Sequence, residues 1–301
     1  MAFRNIGALL QRYYKTCAVL ELVTLHQSSR ALRTTSAALC GLLRVEDQNG
    51  VRRITFDNPK KRNVLSLPML QELDACFQKC LCASDLRCIV LAGDGPVFSS
   101  GHDLKELHMD AGSDMHRDIL QLCTKVMLTI RDIPVPVIAQ VDGLAAAAGC
   151  QLVASCDIVV ATDNAKFSLP GASFGLFCHT PGIPVSRCVP AKTSAYMLMT
   201  GIPINAQEAL YSGLVSKVVA ANQLEEETNR IVEAITAKSR SVMALGKRFY
   251  YKQLQLSIQE AYRVGEDVML TNLKYQDTQE GISAFKEKRQ PKWEHSEKKV
   301  Q

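Results

Sequence analysis

The chain has 301 residues, 47% hydrophobic and 22% charged, the balance of a folded globular protein, and it holds no apolar run long enough to span a bilayer. That length can bury one large α/β core or two smaller ones. The net charge of +5 is concentrated: residues 1–33 carry Arg4, Arg12, Lys15, Arg30 and Arg33 against Glu21 alone, and the remainder holds 30 basic and 29 acidic residues, which removes the main support for a nucleic-acid role.

Residues 1–33 are basic, poor in acid and rich in Ser, Thr, Ala and Leu, the composition of a mitochondrial transit peptide, so a disordered leader and a matrix location are expected. Arginines in Ser28-Ser-Arg-Ala-Leu-Arg-Thr-Thr-Ser-Ala37 precede small residues, where processing is expected. Polar and basic residues break up the apolar run from Cys17 to Leu25 that a secretory signal would need. The eleven cysteines are odd in number and scattered. Their densest cluster, Cys76, Cys80, Cys82 and Cys88, lacks paired C-x₂-C spacing, and Cys76 and Cys80 fit one helix face; all read as small hydrophobes in a reducing compartment.

In chain order, Val51 to Phe56 is β-rich and stops at Asp57-Asn-Pro, a strand and turn. The basic loop Lys60 to Ser66 leads into a helix started by Pro68, with Leu70, Leu73, Phe77 and Leu81 on its apolar face. Arg87 to Leu91 reads as a buried strand, Gly93 to His102 as irregular loop, His102 to Leu107 as helix, and Met115 to Ile130 as a longer helix. An apolar run from Val135 ends as a buried strand at Val141 and passes through Leu144-Ala-Ala-Ala-Ala-Gly149 into another helix. Strands Ile158 to Ala161 and Ala165 to Ser168 follow; Pro170 to Pro190 is expected to be irregular and functional. Beyond Ser194 come a helix, a short strand at Lys217 to Val219, and helices at Gln223 to Lys238, Val242 to Gln253, Ser257 to Leu273 and Gln279 to Lys288. The expected organisation is an α/β core over 43–230, a helical C-terminal region of the same domain over 231–293, and a tail over 294–301.

Two junctions carry chemistry. Phe98-Ser-Ser-Gly-His-Asp-Leu104 and Leu144 to Gly149 each place small residues where a strand is read to become a helix. Backbone can approach closely there, and the first amides of a helix have no partner in the helix. If the two face each other, their amides form a hole for an oxyanion, such as a thioester carbonyl becoming an enolate.

These motifs resemble those of the crotonase (enoyl-CoA hydratase/isomerase) superfamily. Phe98 to Leu104 resembles its first oxyanion loop, and Val141-Asp-Gly-Leu-Ala-Ala-Ala-Ala-Gly-Cys-Gln-Leu-Val-Ala-Ser-Cys-Asp-Ile158 its second. Gly201 to Val215 resembles its helical segment, and Phe285-Lys-Glu-Lys-Arg-Gln-Pro-Lys-Trp293 its C-terminal signature, so the likeness runs from about Leu43 to Trp293. The resemblance implies an α/β spiral of ββα repeats with a helical C-terminal trimerisation region, a homotrimer or hexamer, and an acyl-CoA thioester ligand whose coenzyme A belongs to the substrate. It implies no other cofactor. By position the oxyanion amides are those of His102 and Ala148, with Gly149 the alternative. Arg62, Asn63, Val64 and Leu65 would lie along the CoA, and Phe285 and Lys288 near its nucleotide end; phosphates favour contact with the basic loop over a merely solvated charge run.

The pattern also departs from the family. Enoyl-CoA hydratases use two glutamates, and here those positions hold Gln151 and Gly171. Gln151 can hold a water but cannot take its proton, and Gly171 offers no side chain. Standard hydration is therefore expected to be weak or absent, and the isomerase route, which keeps the second glutamate, is compromised too. His179, in the Gly/Pro-rich loop, is a candidate base, weighed against a histidine at a loop surface or trimer contact. The His102 side chain is expected to line the pocket, Asp103 to cap free amides, and Cys150 to serve packing. His108, Asp110 and His116 lack metal-ligand spacing, so no metal site is expected. The reading is thus an acyl-CoA-binding protein of mitochondrial fatty-acid metabolism with its oxyanion hole kept. The alternatives are a non-catalytic acyl-CoA sensor or regulatory partner, and a divergent isomerase or thioester hydrolase using His179.

Overall fold

The structure, a computed structural model, describes residues 38–300; the expected transit peptide over 1–33 lies outside them. Strands β1 (Ala38–Cys40), β2 (Leu43–Gln48) and β3 (Val51–Phe56) form an antiparallel meander. The β2–β3 turn is Asn49-Gly50, whose φ values of 51° and 76° suit the two-residue hairpin these residue types favour. Helix α1 (Leu67–Cys82) starts where Ser66 accepts a hydrogen bond from the Met69 amide and Pro68 sets the first turn. Its Met69, Leu70, Leu73, Cys76, Phe77 and Cys80 are buried, so the two clustered cysteines do share the core face.

Three turns of spiral follow. The first comprises β4 (Cys88–Gly93), β5 (Val97–Ser99) and α2 (Ser113–Asp132). The second comprises β6 (Val137–Val141), β7 (Leu144–Ala146) and α3 (Ala148–Ser155). The third comprises β8 (Ile158–Thr162), β9 (Lys166–Ser168), α4 (His179–Cys188) and α5 (Ala191–Thr200). A closing segment adds β10 (Ile204–Asn205), α6 (Ala206–Ser212) and β11 (Lys217–Val219). The first strand of each turn joins a seven-stranded sheet ordered β1-β2-β3-β4-β6-β8-β11, parallel from β3 onward. The second strand joins a four-stranded sheet ordered β10-β9-β7-β5, so the chain winds between two sheets as the ββα repeat implies. Phe56 of one sheet and Phe98 of the other meet edge to face at 5.6 Å in the core between them.

The remaining helices are α7 (Leu224–Thr236), α8 (Arg240–Gln253), α9 (Ile258–Leu273) and α10 (Gln276–Glu287). Helix α8 is pinned to the spiral by the Lys247 ammonium, which donates to the carbonyls of Ile130 (2.8 Å) and Val135 (2.9 Å) and to Asp157 (2.7 Å). Tyr251 donates to the same carboxylate at 2.6 Å. The expected tail is folded back onto α9 and α10: the Val300 amide donates to the Lys274 carbonyl, and the Glu294 and His295 amides donate to the buried Asp277 carboxylate.

Three sequence expectations are corrected. The Gly93-to-His102 loop contains β5, three residues that pair with β7. Residues 102–107 are not a helix but successive i-to-i+3 turns, because the Asp103 carboxylate caps the Lys105 amide at 3.0 Å and Glu106 is drawn away to the Leu67 amide at 2.8 Å. The Pro170–Pro190 stretch is mostly regular: a 3₁₀ turn over Pro170–Phe174 and then α4, which accommodates Pro184 within it.

Candidate functional site

The site forms where β5 and β7 run out side by side. Gly101, with φ of 87°, lets the first loop fold onto the second. A Cβ placed on it would lie 2.9 Å from the Ala148 amide nitrogen and 2.9 Å from the Ala147 Cβ, so only glycine permits this approach. Gly149 performs the same service one residue later, for a Cβ there would sit 2.4 Å from the Ser99 carbonyl oxygen. Ala147 adopts φ 49° and ψ −119°, a strained conformation for a residue with a side chain, at a cost of about 1–3 kcal/mol. Its amide is held by the Ser168 carbonyl at 3.0 Å and its carbonyl receives the Gln151 amide at 3.0 Å. This turn leaves the first amide of α3, that of Ala148, beside Gly101.

The amides of His102 and Ala148 have no hydrogen-bond acceptor among the described residues. Both junctions were expected to supply a helix start; only the second does, and the His102 amide is instead presented by a turn. Ser99 braces that turn, its hydroxyl donating to the Asn63 carbonyl at 2.7 Å and accepting from the Gly101 amide at 3.2 Å.

The loop expected to lie along CoA divides by role. Lys60, Lys61 and Arg62 are exposed. Asn63 is buried and fully engaged: its amide group donates to the carbonyls of Asp94 (2.9 Å) and Val97 (2.8 Å), and its oxygen accepts from the Asn58 amide. Its side chain is therefore a tie between loops. Leu65 is a core side chain, but its amide donates to the Gly101 carbonyl at 2.8 Å, joining this loop to the loop over residues 98–104. Phe285 is 84% exposed on α10, and Lys288 caps that helix in the left-handed region with φ of 54°.

The His102 imidazole is the feature the sequence did not resolve. Its Nδ1 bonds the Leu65 carbonyl at 3.1 Å, so Nδ1 carries the proton and Nε2 is left with a lone pair. That Nε2 is sealed from solvent and has no hydrogen-bond partner among the described residues, which costs about 1–3 kcal/mol in a buried polar atom. Burial holds the His102 pKa below the ordinary histidine value, outweighing the Leu65 hydrogen bond and the charge of Glu106, so the ring is neutral at pH 7. His179, by contrast, is exposed at the first residue of α4, its ring against Phe177 at 5.1 Å.

Gln151 is buried on α3, with the Cys123 thiol 4.0 Å from its side-chain oxygen. Gly171 is enclosed by its own loop: the Leu176 amide donates to its carbonyl at 2.9 Å, its amide meets the Cys178 sulfur at 3.3 Å, and a Cβ there would lie 2.0 Å from the Leu176 carbonyl oxygen. The position is filled by backbone rather than left empty. Cys150 is buried with its thiol pushed up to about 12, which suits packing and not nucleophilic chemistry.

A ββα spiral with two loops converging on a small-residue helix start is the architecture of the crotonase class. A family model described as Enoyl-CoA hydratase/isomerase matches residues 46–296, and the chain belongs to that family. It is 53% identical over 247 residues to human "Enoyl-CoA hydratase domain-containing protein 3, mitochondrial", covering 82% of each chain, and 47% identical over 252 residues to the zebrafish (Danio rerio) protein of that name, covering 84% of this chain and 87% of that one. The crystal structure of the human enoyl Coenzyme A hydratase domain-containing protein 3 superposes with a TM-score of 0.81 at 51% identity, covering 87% of this chain and 100% of that one. An enoyl-CoA hydratase from Mycobacterium smegmatis gives a TM-score of 0.82 at 42% identity, covering 84% of this chain and 98% of that one.

Proposed function

We propose that this chain binds an acyl-CoA thioester and holds its carbonyl oxygen between the amides of His102 and Ala148. The observation that carries the reading is the contact of Gly101 with the strained Ala147-Ala148 helix start, which leaves two amides without an acceptor at one place. Such preorganised donors stabilise negative charge developing on a thioester oxygen. Ala148, beside Gly101, takes the role in preference to Gly149, whose place against Ser99 is set by packing. Arg62 and the main chain of Val64 supply the contact to CoA, with Phe285 and Lys288 at its nucleotide end.

Standard hydration is weak in this reading, because Gln151 and Gly171 stand where a hydratase carries two carboxylates. Each positioned acid or base group is worth about 10²–10⁴ in rate. The enclosure of Gly171 supports the same conclusion, since no side chain reaches inward from that position. The sensor reading needs only the binding half of this site; a His179-based reaction has the weaker support, since that ring faces solvent. Mitochondrial residence, with residues 1–33 as transit peptide, follows the leader composition and the names of the relatives. The division into a core over 43–230, a helical region over 231–293 and a tail over 294–301 stays part of this reading, and the exposed Tyr262, Met269, Leu270 and Leu273 of α9 suit association into a trimer or hexamer.

Calorimetry of the full chain with short, medium and long acyl-CoAs tests the binding. Saturable binding of at least one is expected, with crotonyl-CoA hydration at least ~10²-fold below a two-glutamate hydratase. Absence of binding across the panel would sink the proposal.

A further inference from the structure

We infer that His295 is an acid-sensitive catch for the C-terminal tail: its neutral ring holds residues 295–300 against the helical region, and a proton from solvent releases them. The catch is independent of the acyl-CoA reading. His295 Nδ1 accepts from the Arg240 amide at 3.2 Å, and that amide is the first of α8, at a helix end where amides lack partners and positive potential gathers. An imidazolium would set one N–H against another there, beside the guanidinium groups of Arg240 and Arg87. The anion facing the ring is Asp277 of α10, and its carboxylate is already engaged by the Glu294 and His295 amides at 2.8 and 3.0 Å and by the Ser239 hydroxyl. Asp85 acts on both guanidinium groups, and Glu297 on that of Arg240. The ring itself is only half-buried, so protons from solvent reach it.

The two halves of the tail are fastened by different chemistry. Arg289 pairs with Glu280 at 2.6 and 2.9 Å, the Lys292 amide donates to the same carboxylate at 2.7 Å, and the Trp293 indole donates to the Ala237 carbonyl at 2.8 Å. Arg289 lowers the Glu280 pKa to about 2, so this half stays fastened through mild acid. Beyond His295, backbone bonds hold the chain: the Gln276 amide donates to the Lys298 carbonyl at 2.9 Å, and the Val300 amide to the Lys274 carbonyl at 2.8 Å. His295 is also held in the left-handed region with φ of 57°, a cost that release relieves. Burial, together with Arg87 and Arg240, outweighs Asp277 and keeps the His295 pKa below the ordinary histidine value. The catch is therefore fully closed above about pH 6.5 and opens as pH falls through the folded value.

Amide hydrogen exchange of the full chain, followed by NMR from pH 7.5 down to 5 and expressed as protection factors, tests the catch. In wild type the Arg240, Gln276 and Val300 amides are expected to lose protection at least ~3-fold as pH falls, while the Lys292 amide keeps its own. His295→Asn offers an oxygen acceptor where Nδ1 lies, tolerates the left-handed backbone and does not titrate, so the same three amides are expected to stay protected across the range. His295→Ala is expected to leave them weakly protected at every pH. Protection in wild type that does not change with pH, or that falls equally in the asparagine variant, would overturn the catch. Full protection in the alanine variant would do so too, as would an equal loss at Lys292, which means that the helical region loosens as a whole.

Discussion

At the scale of single residues, the site is made by glycines whose hydrogens face backbone. Gly149 and Gly171 share this property with different consequences. Gly149→Ala would press a methyl group against the Ser99 carbonyl, 2.4 Å from where the Cβ would start, and Ser99 braces the Gly101 turn. Overpacking of this kind costs about 1–3 kcal/mol, and here it also pushes the 98–104 and 144–149 loops apart. A modest fall in thermal midpoint with a large loss of acyl-CoA affinity is therefore expected; thermal melts paired with calorimetry check it, and retained affinity would separate the packing from the hole. Gly171→Glu is a different case: no carboxylate can enter unless the 171–178 loop opens first, so Gln151→Glu alone is the substitution the fold accepts.

At the scale of elements, α8 is tied to the spiral by one ammonium group that meets two carbonyls and a carboxylate. The Lys247 side chain is only 7% exposed, and removing its charge leaves Asp157 with Tyr251 and the Val137 amide as partners and two carbonyls with none among the described residues. Lys247→Met is expected to destabilise the chain by about 3 kcal/mol in urea unfolding, because one partner of a buried pair is removed. A change under about 1 kcal/mol would show that water replaces the ammonium. The same scale explains what was legible in the sequence. Val51–Phe56 and Lys217–Val219 were readable to the residue, and the long C-terminal helices to within a few, because β-branched runs and helical periodicity are local signals. Strands β5 and β7 were not, since three residues cannot display alternation and both are defined by partners far along the chain. Helix α4 was hidden by Pro181, Gly182 and Pro184, which propensity disfavours and tertiary packing overrides. The meeting of the two loops was legible because small residues clustered at both. The imidazole clamp was not, because the Leu65 carbonyl that fixes it lies 37 residues away.

At the scale of the whole molecule, two histidines couple the fold to acidity. His102 and His295 both have pKa values lowered by burial, and His295 Nδ1 accepts from the Arg240 amide, a bond its protonated form cannot make there. With folded values below the unfolded one near 6.5, the unfolded chain binds more protons in the window between them. Stability from these groups is thus fully present above about pH 6.5 and is lost as pH falls through the folded values. His295 is largely solvent-screened, so His102 should dominate. Melting curves from pH 7.5 down to 5 are expected to fall more steeply for wild type than for His102→Gln; parallel curves would mean that the buried ring does not govern the acid limb.

The enclosure of Gly171 has a bearing on how this site can be altered. A glycine that faces open space accepts a larger side chain in one substitution. Here the Leu176 carbonyl and the Cys178 sulfur occupy that space, so the first substitution is a clash and any gain arrives only after a second, independent change to the loop. The loop acts as a ratchet: residue 171 can take on a new side chain only together with its neighbours.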